Sequence, residues 1–318
     1  MMGGELLAAA GLDAVAGDPR WFPHPVRGIG IIIRWCDDNI RKVSRHPAVL
    51  RAAGIVLALG LPLLVFVLSY EVMVMADEIV WWLGSLVSIG LAWTTLAARD
   101  LWSHVQAVSE PLGRGNLSEA RRAVGMIVGR DTDRLSQEDV IRATIETTAE
   151  SISDGIIAPL FYLALGGAPL ALAYKAVNTL DSMIGHKDER YVDFGWASAR
   201  LDDFANWAPA RLSAVLIVVV GALVMGESAR IRMGWGVLRR DGNRHPSPNS
   251  GRPEAAMAGF LGIRLGGSNV YHGIPNDRPL IGLGGRQPIL KDIEIASRII
   301  IGVSLLGLLL TMGVMWLV

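Results

Sequence analysis

The chain is poor in the residues that mark most soluble enzyme chemistries. It has one cysteine, Cys36, in 318 residues, which excludes an internal disulfide and leaves the redox compartment open. Charge is scarce, at 19% of residues, and 30 basic side chains balance 30 acidic ones. Zero net charge leaves no footprint for nucleic acid. No GxxxxGK[ST], HExxH, CxxC or GxSxG occurs anywhere, so a Walker loop, a zincin helix, a dithiol site and a nucleophile elbow are all excluded. Any nucleotide site is of a nonstandard kind. A basic leader is missing too. Leu6–Leu12 is apolar but flanked by Glu5 and Asp13, which reads as mature sequence lying against a membrane rather than a signal peptide.

Apolar sequence is abundant. Charge-free runs cover Ala52–Tyr70, Ile79–Ala98, Gly155–Tyr174 and Ile299–Val318, with a shorter one at Leu212–Gly226. Runs of about 20 residues suit a hydrocarbon core of about 30 Å. The expected fold is therefore all-α, a polytopic integral membrane protein with about three to five spans and helical cytoplasmic loops. It forms one membrane-embedded domain over 1–318. Residues 52–98 are a helical-hairpin scaffold closed by an acidic loop at Glu71, Asp77 and Glu78, and 99–154 are cytoplasmic helices. Broken apolar segments and a polar motif helix follow in 155–226. Residues 227–298 form a phosphate-loop region, and 299–318 a C-terminal span.

Basic residues orient such a chain. If every run spans, 25 of the 30 fall on one side and five, within Lys175–Arg211, on the other, which makes the first side cytoplasmic. The alternative is that Gly155–Tyr174 and Leu212–Gly226 both dip and return. Gly166-Gly167-Ala168-Pro169 interrupts the first, and the second is short. This arrangement, preferred here, puts all basic residues on one side with three true spans.

Several polar blocks interrupt the apolar pattern. GDPRWFPHPVRGIG has three prolines in seven residues, forbidding a regular helix, and offers Trp21, His24 and Arg27 for contacts or as an interfacial anchor. Ile29–Arg51 reads as a basic amphipathic helix. In GRDTDRLSQED, Ser136 and Asp139 form a capping box that starts a helix near Gln137. Arg130 and Asp131 sit in the turn before it, where free N–H groups suit an anion unless the turn is simply solvated. On that helix Glu146, Glu150 and Asp154 lie within roughly 80° of arc. Without basic partners such a stripe repels and suggests Mg²⁺ or another cation, the plain alternative being a solvated face. In Tyr174–His186, Lys175, Asn178, Thr179, Asp181, Ser182 and His186 share one face, opposite Ala176, Val177, Leu180, Met183 and Ile184. Arg200, Asp202, Asp203 and Asn206 follow. Later, SPNSGRPEAAMAGFLG has Ser250 as N-cap and Pro253 early in the next helix. Ser247, Asn249, Ser250 and Arg252 look able to hold a phosphate. The Ala- and Gly-rich helix after them admits a close backbone or a flat ligand.

GDPRWFPHPVRGIG, RDTDRLS, ETTAESISDGIIAPLFYLALGGAPLALAYKAVNTLDSMIGH, ERYVDFGWASARLDD and SPNSGRPEAAMAGFLGIRLGG together resemble the adenosylcobinamide-phosphate synthase family (CbiB/CobD) of cobalamin biosynthesis. The resemblance runs in order from about Gly17 to Gly285. It implies a multi-pass enzyme of the cytoplasmic membrane, its active side cytoplasmic, embedded in lipid and associated with other membrane-bound cobamide assembly enzymes. It would use ATP, with Mg²⁺, to join a carboxylate of the corrinoid adenosylcobyric acid to the amine of aminopropanol phosphate or a related amino alcohol. On chemical grounds Lys175, Asn178, Asp181 and Glu150 are the expected catalytic groups, and Glu146, Glu150, Asp154 and Asp181 the metal ligands. Substrate or phosphate contacts are expected from Arg130, Asp131, His24, Arg27, Ser182, Arg200, Ser247, Asn249, Ser250 and Arg252. Two other classes fit the pattern less well: a transporter, since broken apolar segments with midplane polar groups also mark these, and a non-catalytic scaffold for a cobamide assembly complex.

Overall fold

The computed structural model describes residues 1–19, 21–271 and 273–317; Arg20, inside the first polar block, lies outside them. In chain order the helices are α1 (Gly3–Ala16), α2 (Pro25–Val43), α3 (Pro47–Ile79), α4 (Trp81–Trp93), α5 (Ala98–Gly113), α6 (Leu117–Gly125) and α7 (Gln137–Ile152). A π-helical turn, Ser153–Ile157, leads into α8 (Ala158–Ile184). Then come α9 (Trp196–Ala205), α10 (Trp207–Met225), α11 (Ala229–Asp241) and α12 (Gly251–Leu261). Strands β1 (Leu265–Tyr271) and β2 (Ile274–Ile281) precede α13 (Leu290–Leu317). The fold is that of an all-α polytopic membrane protein with one small hairpin added. Five helical stretches are long and apolar enough to cross a bilayer: Pro47–Ile79, Trp81–Gly113, Gln137–Ile184, Trp207–Met225 and Leu290–Leu317.

Several boundaries follow from local chemistry. The α7 start is the expected one, with Ser136 and Asp139 closing the capping box. Pro25 and Pro47 each stand at the first turn of a helix, where a missing N–H costs nothing, and His24 and His46 cap those helices through ring nitrogens. The expected single helix Ile29–Arg51 is thus two, parted at Ser44–His46. The expected acidic loop is absent: Glu71, Asp77 and Glu78 lie within α3, which ends only at the extended residue Val80. No glycine or proline stands near them to stop the helix. α8 does break where expected. Gly166 and Gly167 leave helical geometry, and Gly167 has φ +67°, a conformation that costs little only for glycine. α10 is longer than its charge-free count implies. Arg211 does not end it, because the guanidinium lies over the Trp207 ring at 4.2 Å and bonds the Trp207 carbonyl. At 19 residues the helix lacks the shortness on which the dipping arrangement partly rested.

The chain forms two compact units. The first comprises Met1–Ala97, Ala158–Asn206 and the chain from Leu310 onward. In it α3 packs on α4, α8 and α9, α8 also packs on α2, and α1 lies on α4. Ile29 and Ile33 of α2, Leu50 and Leu61 of α3, and Ala176, Leu180 and Ile184 of α8 meet Phe194 in one core. These α8 residues belong to the apolar face expected of that helix. The second unit comprises Ala98–Ile157 and Trp207–Leu309. There α12 packs on α10, α11 and α7, while α7 also packs on α5, α6 and β1. The small-residue face of α12 admits another backbone: a Cβ on Gly259 would stand 2.9 Å from Gly234 Cα on α11. The hairpin was not expected. β1 pairs antiparallel with β2, and Pro275 and Pro279 of β2 are tolerated because a two-stranded ribbon is all edge.

Candidate functional site

The second unit builds its polar centre around α7, which is buried on every side rather than along one stripe. Glu146 and Arg130 are 2% and 7% exposed. Arg130 donates to Glu146 Oε2 at 2.5 Å and to Asn269 Oδ1 at 2.6 Å. The Gly266 N–H donates to Glu146 Oε1 at 2.8 Å. Arg142 lies 4.0 Å from the same oxygen and donates to the carbonyls of Gly266 and Ser268. A buried ion pair persists only when its remaining hydrogen-bonding capacity is met, and both Glu146 oxygens are met here. The premise that the Glu146, Glu150 and Asp154 stripe lacks basic partners is therefore corrected at Glu146. Arg130 comes from the turn before the helix, and Asn269 and Gly266 come from the hairpin. Asp131 ties that turn down: its N–H donates to the Val270 carbonyl and its carboxylate accepts from the Gly273 N–H, each at 2.8 Å.

One turn further along α7, half-buried Glu150 accepts a hydrogen bond from Ser250 Oγ at 2.9 Å. Ser250 stands at the N-cap position of α12 as expected, but its backbone is already helical and its hydroxyl is not the cap. The loop before α12 closes on Ser247, whose Oγ accepts from the N–H groups of Asn249 and Ser250. The Ser247 N–H in turn donates to His245 Nδ1 at 3.1 Å. Arg252 donates to Asn243 Oδ1. Asp154 occupies the π-helical turn, a distortion that recurs at functional sites. Thus Arg130, Asp131, Glu146, Glu150, Ser247, Asn249, Ser250 and Arg252, far apart in sequence, share one compact unit.

Behind the loop lies a group that sequence reasoning missed. Glu254 on α12 is 2% exposed. Burial, then the Glu146 and Glu150 carboxylates, push its pKa well above the usual carboxylate range. His245 Nε2 is 3.9 Å from Glu254 Oε1. Burial and the Arg278 cation lower the His245 pKa, so its imidazole is neutral near pH 7. Arg278 Nη2 donates to the Tyr271 hydroxyl at 2.9 Å. Arg278 and Tyr271 sit in the hairpin, whose prolines hide it from pattern reading. Only the coincidence of His245 with the SPNSG block could have flagged any of these residues.

The first unit holds a different polar centre. Tyr174 OH donates to Asn206 Oδ1, and Asn206 Nδ2 donates to Asp202 Oδ1, both at 2.9 Å. Asn178 Nδ2 reaches the same Asp202 oxygen at 3.5 Å. Burial and the neighbouring Asp181 carboxylate raise the Asp202 pKa to about 7. Asn178 and Asp181 are thus brought to Asp202. Lys175 stands half-buried one turn before Asn178–Thr179. Ser182 is exposed and its hydroxyl bonds back to the Thr179 carbonyl. Arg200 is exposed, 3.7 Å from Asp203. His24 caps α2 by accepting the Val26 N–H, and Arg27 pairs with Asp18 at 3.3 Å.

Among the described residues no group of three or more His, Cys, Asp or Glu side chains converges to hold a metal ion. Glu146, expected as a metal ligand, is engaged by Arg130 and the Gly266 N–H.

A family model described as CobD/Cbib protein matches residues 6–300. The chain is 49% identical over 280 residues to "Cobalamin biosynthesis protein CobD" of Geobacter metallireducens, covering 88% of this chain and 86% of that one. It is 47% identical over 309 residues to the protein of the same description from Klebsiella pneumoniae, 96% of each chain. It is 44% identical over 300 residues to "Cobalamin biosynthesis protein CbiB" of Salmonella typhimurium, covering 94% and 93%. No solved structure matches the chain. With a family model spanning both polar centres and relatives alike over nearly their whole length, the chain belongs to the CobD/CbiB family.

Proposed function

We propose that the protein is an ATP-dependent acid–amine ligase of cobalamin biosynthesis. It joins a carboxylate of adenosylcobyric acid to the amine of aminopropanol phosphate, or a related amino alcohol, at the cytoplasmic face of the cytoplasmic membrane. The observation that carries this reading is the family match over residues 6–300, with relatives named for cobalamin biosynthesis. The chemistry requires three things. A corrinoid carboxylate oxygen attacks the γ-phosphorus of ATP, giving an acyl phosphate and ADP. The amine nitrogen then attacks the acyl carbon and phosphate leaves. The ammonium proton passes to a base. Phosphoryl transfer depends on positioning and on offsetting charge, and the loop Ser247–Ser250, whose N–H groups close on His245 and Ser247 and which is held against Glu150, offers the Ser247 hydroxyl to a phosphate. Mg²⁺ enters as part of the nucleotide substrate.

Glu150, half-buried and anchored through one oxygen, is the preferred base, since it touches the loop. The test is direct. Purified protein in detergent is given a corrinoid acid, aminopropanol phosphate and ATP, and the amide is sought by mass spectrometry alongside ADP release. Amide formation dependent on all three substrates is expected. ATP-independent binding without amide product would overturn the ligase reading.

A further inference from the structure

Arg278 differs from three other arginines of the second unit. Arg130 is paired with Glu146, Arg142 with Asp139, and Arg286 with Asp292. Arg278 is half-buried and forms no ion pair among the described residues. Its guanidinium carries only donors. Nη2 is satisfied by the Tyr271 hydroxyl at 2.9 Å, but Nη1 faces His245 Nε2 at 3.3 Å. That contact conflicts with the rest of the ring. A neutral imidazole has one acceptor nitrogen, and His245 Nδ1 already accepts the Ser247 N–H at 3.1 Å. Nε2 therefore carries the proton. Two donors, Nη1–H and Nε2–H, stand side by side, and the Glu254 oxygen nearest them, 3.9 Å from Nε2, makes no hydrogen bond at all.

Paired donors beside a phosphate-suited loop call for an acceptor with several lone pairs. We infer that Arg278 and the His245 Nε2–H bind a phosphoryl group of a substrate, extending the Ser247–Ser250 loop toward the hairpin. This rests on the ligase reading for its choice of substrates. Of the surrounding carboxylates, Glu150 keeps its charge and is held by the Ser250 hydroxyl, while the other two weigh less against an anion. Glu146 is neutralised by Arg130, and burial with the neighbouring carboxylates raises the Glu254 pKa, favouring its uncharged form. A guanidinium fork is suited to phosphate oxygens.

Two substrates bring phosphoryl groups, ATP and the amino-alcohol phosphate, and steady-state kinetics separate them. Arg278→Gln is expected to raise KM for one of the two by about 10- to 100-fold, the loss of a charge-assisted contact, with KM for the corrinoid unchanged. A rise for ATP assigns the site to the nucleotide, and a rise for the amino-alcohol phosphate assigns it there. Arg278→Lys keeps the charge but not the fork, so it should lie between wild type and Gln. It carries the test if the Gln variant does not accumulate. Should both KM values stay within about twofold of wild type while thermal stability falls, Arg278 is a clamp on the hairpin and the inference is overturned. Equilibrium binding of ATP and of inorganic phosphate separates this inference from the ligase reading. If wild type makes no amide yet binds either probe, and Arg278→Gln loses that binding, the phosphoryl site stands without the ligase. Equal binding by both proteins, or none by wild type, overturns the site.

Discussion

The two units bury carboxylates in opposite ways. In the second, Glu146 is fully buried and met by a guanidinium and a backbone N–H. In the first, Asp202 is 9% exposed, has amide donors from Asn206 and Asn178 but no basic partner in its hydrogen-bond set, and lies beside Asp181. The physics of burial demands that charge be paired or removed. The second unit pairs it with a cation, and the first removes it with a proton. The two centres therefore differ in what breaks them: loss of a partner in one, a rise in pH in the other.

The largest expected effect comes from breaking the cationic pairing. Arg130→Met leaves Glu146 buried without its charge partner, a loss of about 3–5 kcal/mol. Chemical denaturation in detergent micelles would measure it. Arg130→Met combined with Glu146→Met should recover most of that loss, because an apolar pair of similar size has nothing to desolvate. A double variant as unstable as the single would show that Asn269 and Gly266, not the charge, are what the pair supports.

The protonated centre is sharpened by pH. The Asp202 pKa is raised from the ordinary 3.8 to about 7 in the folded chain. Between those values the folded state binds a proton that the unfolded state has lost, so stability from this group is full below the lower value. It falls as pH rises and is gone above about 7. Asp202→Asn keeps an acceptor for Asn206 and Asn178 but cannot ionise. It should be more stable than wild type at pH 8, and the advantage should vanish near pH 4. A pH-independent difference between the two proteins would place the cause in hydrogen bonding rather than in titration.

Legibility in the sequence followed the range of the interactions. The α7 start was readable because Ser136 and Asp139 are three residues apart, and the α8 break because Gly166 and Gly167 are adjacent. The polar face of α8 was readable from helical period alone. What Glu146 does was not, since Arg142 four residues before it and Arg130 further back could each have pointed elsewhere, and Gly266 is 120 residues away. The hairpin was hidden by Pro275 and Pro279. With it went Arg278 and Tyr271, which no periodicity marks. The helix break at Ser44–His46 is hard to see in the sequence because its cap is a histidine ring rather than a Ser, Thr, Asp or Asn side chain. The supposed acidic loop at Glu71–Glu78 was an error of a different kind, charge being mistaken for a turn.

The smallest effects on stability fall at Glu150, where the two modes of the comparison meet: a half-buried carboxylate held by a hydroxyl instead of a cation or a proton. Ser250→Ala removes that hydroxyl, and the cost should be about 0.5–1.5 kcal/mol, since water can reach the oxygen left behind. Glu150→Gln keeps an acceptor for Ser250 Oγ, so its stability should stay within about 0.5 kcal/mol of wild type. Catalysis separates the same two variants in the reverse order. If Glu150 takes the ammonium proton, Glu150→Gln loses about 10²–10⁴ in amide formation, while Ser250→Ala, which leaves the carboxylate in place, loses far less. Equal turnover in Glu150→Gln and wild type would strip Glu150 of the base role and leave it as an anchor for the loop. The search for the proton acceptor would then move to the first unit, where burial and the Asp181 carboxylate raise the Asp202 pKa to about 7.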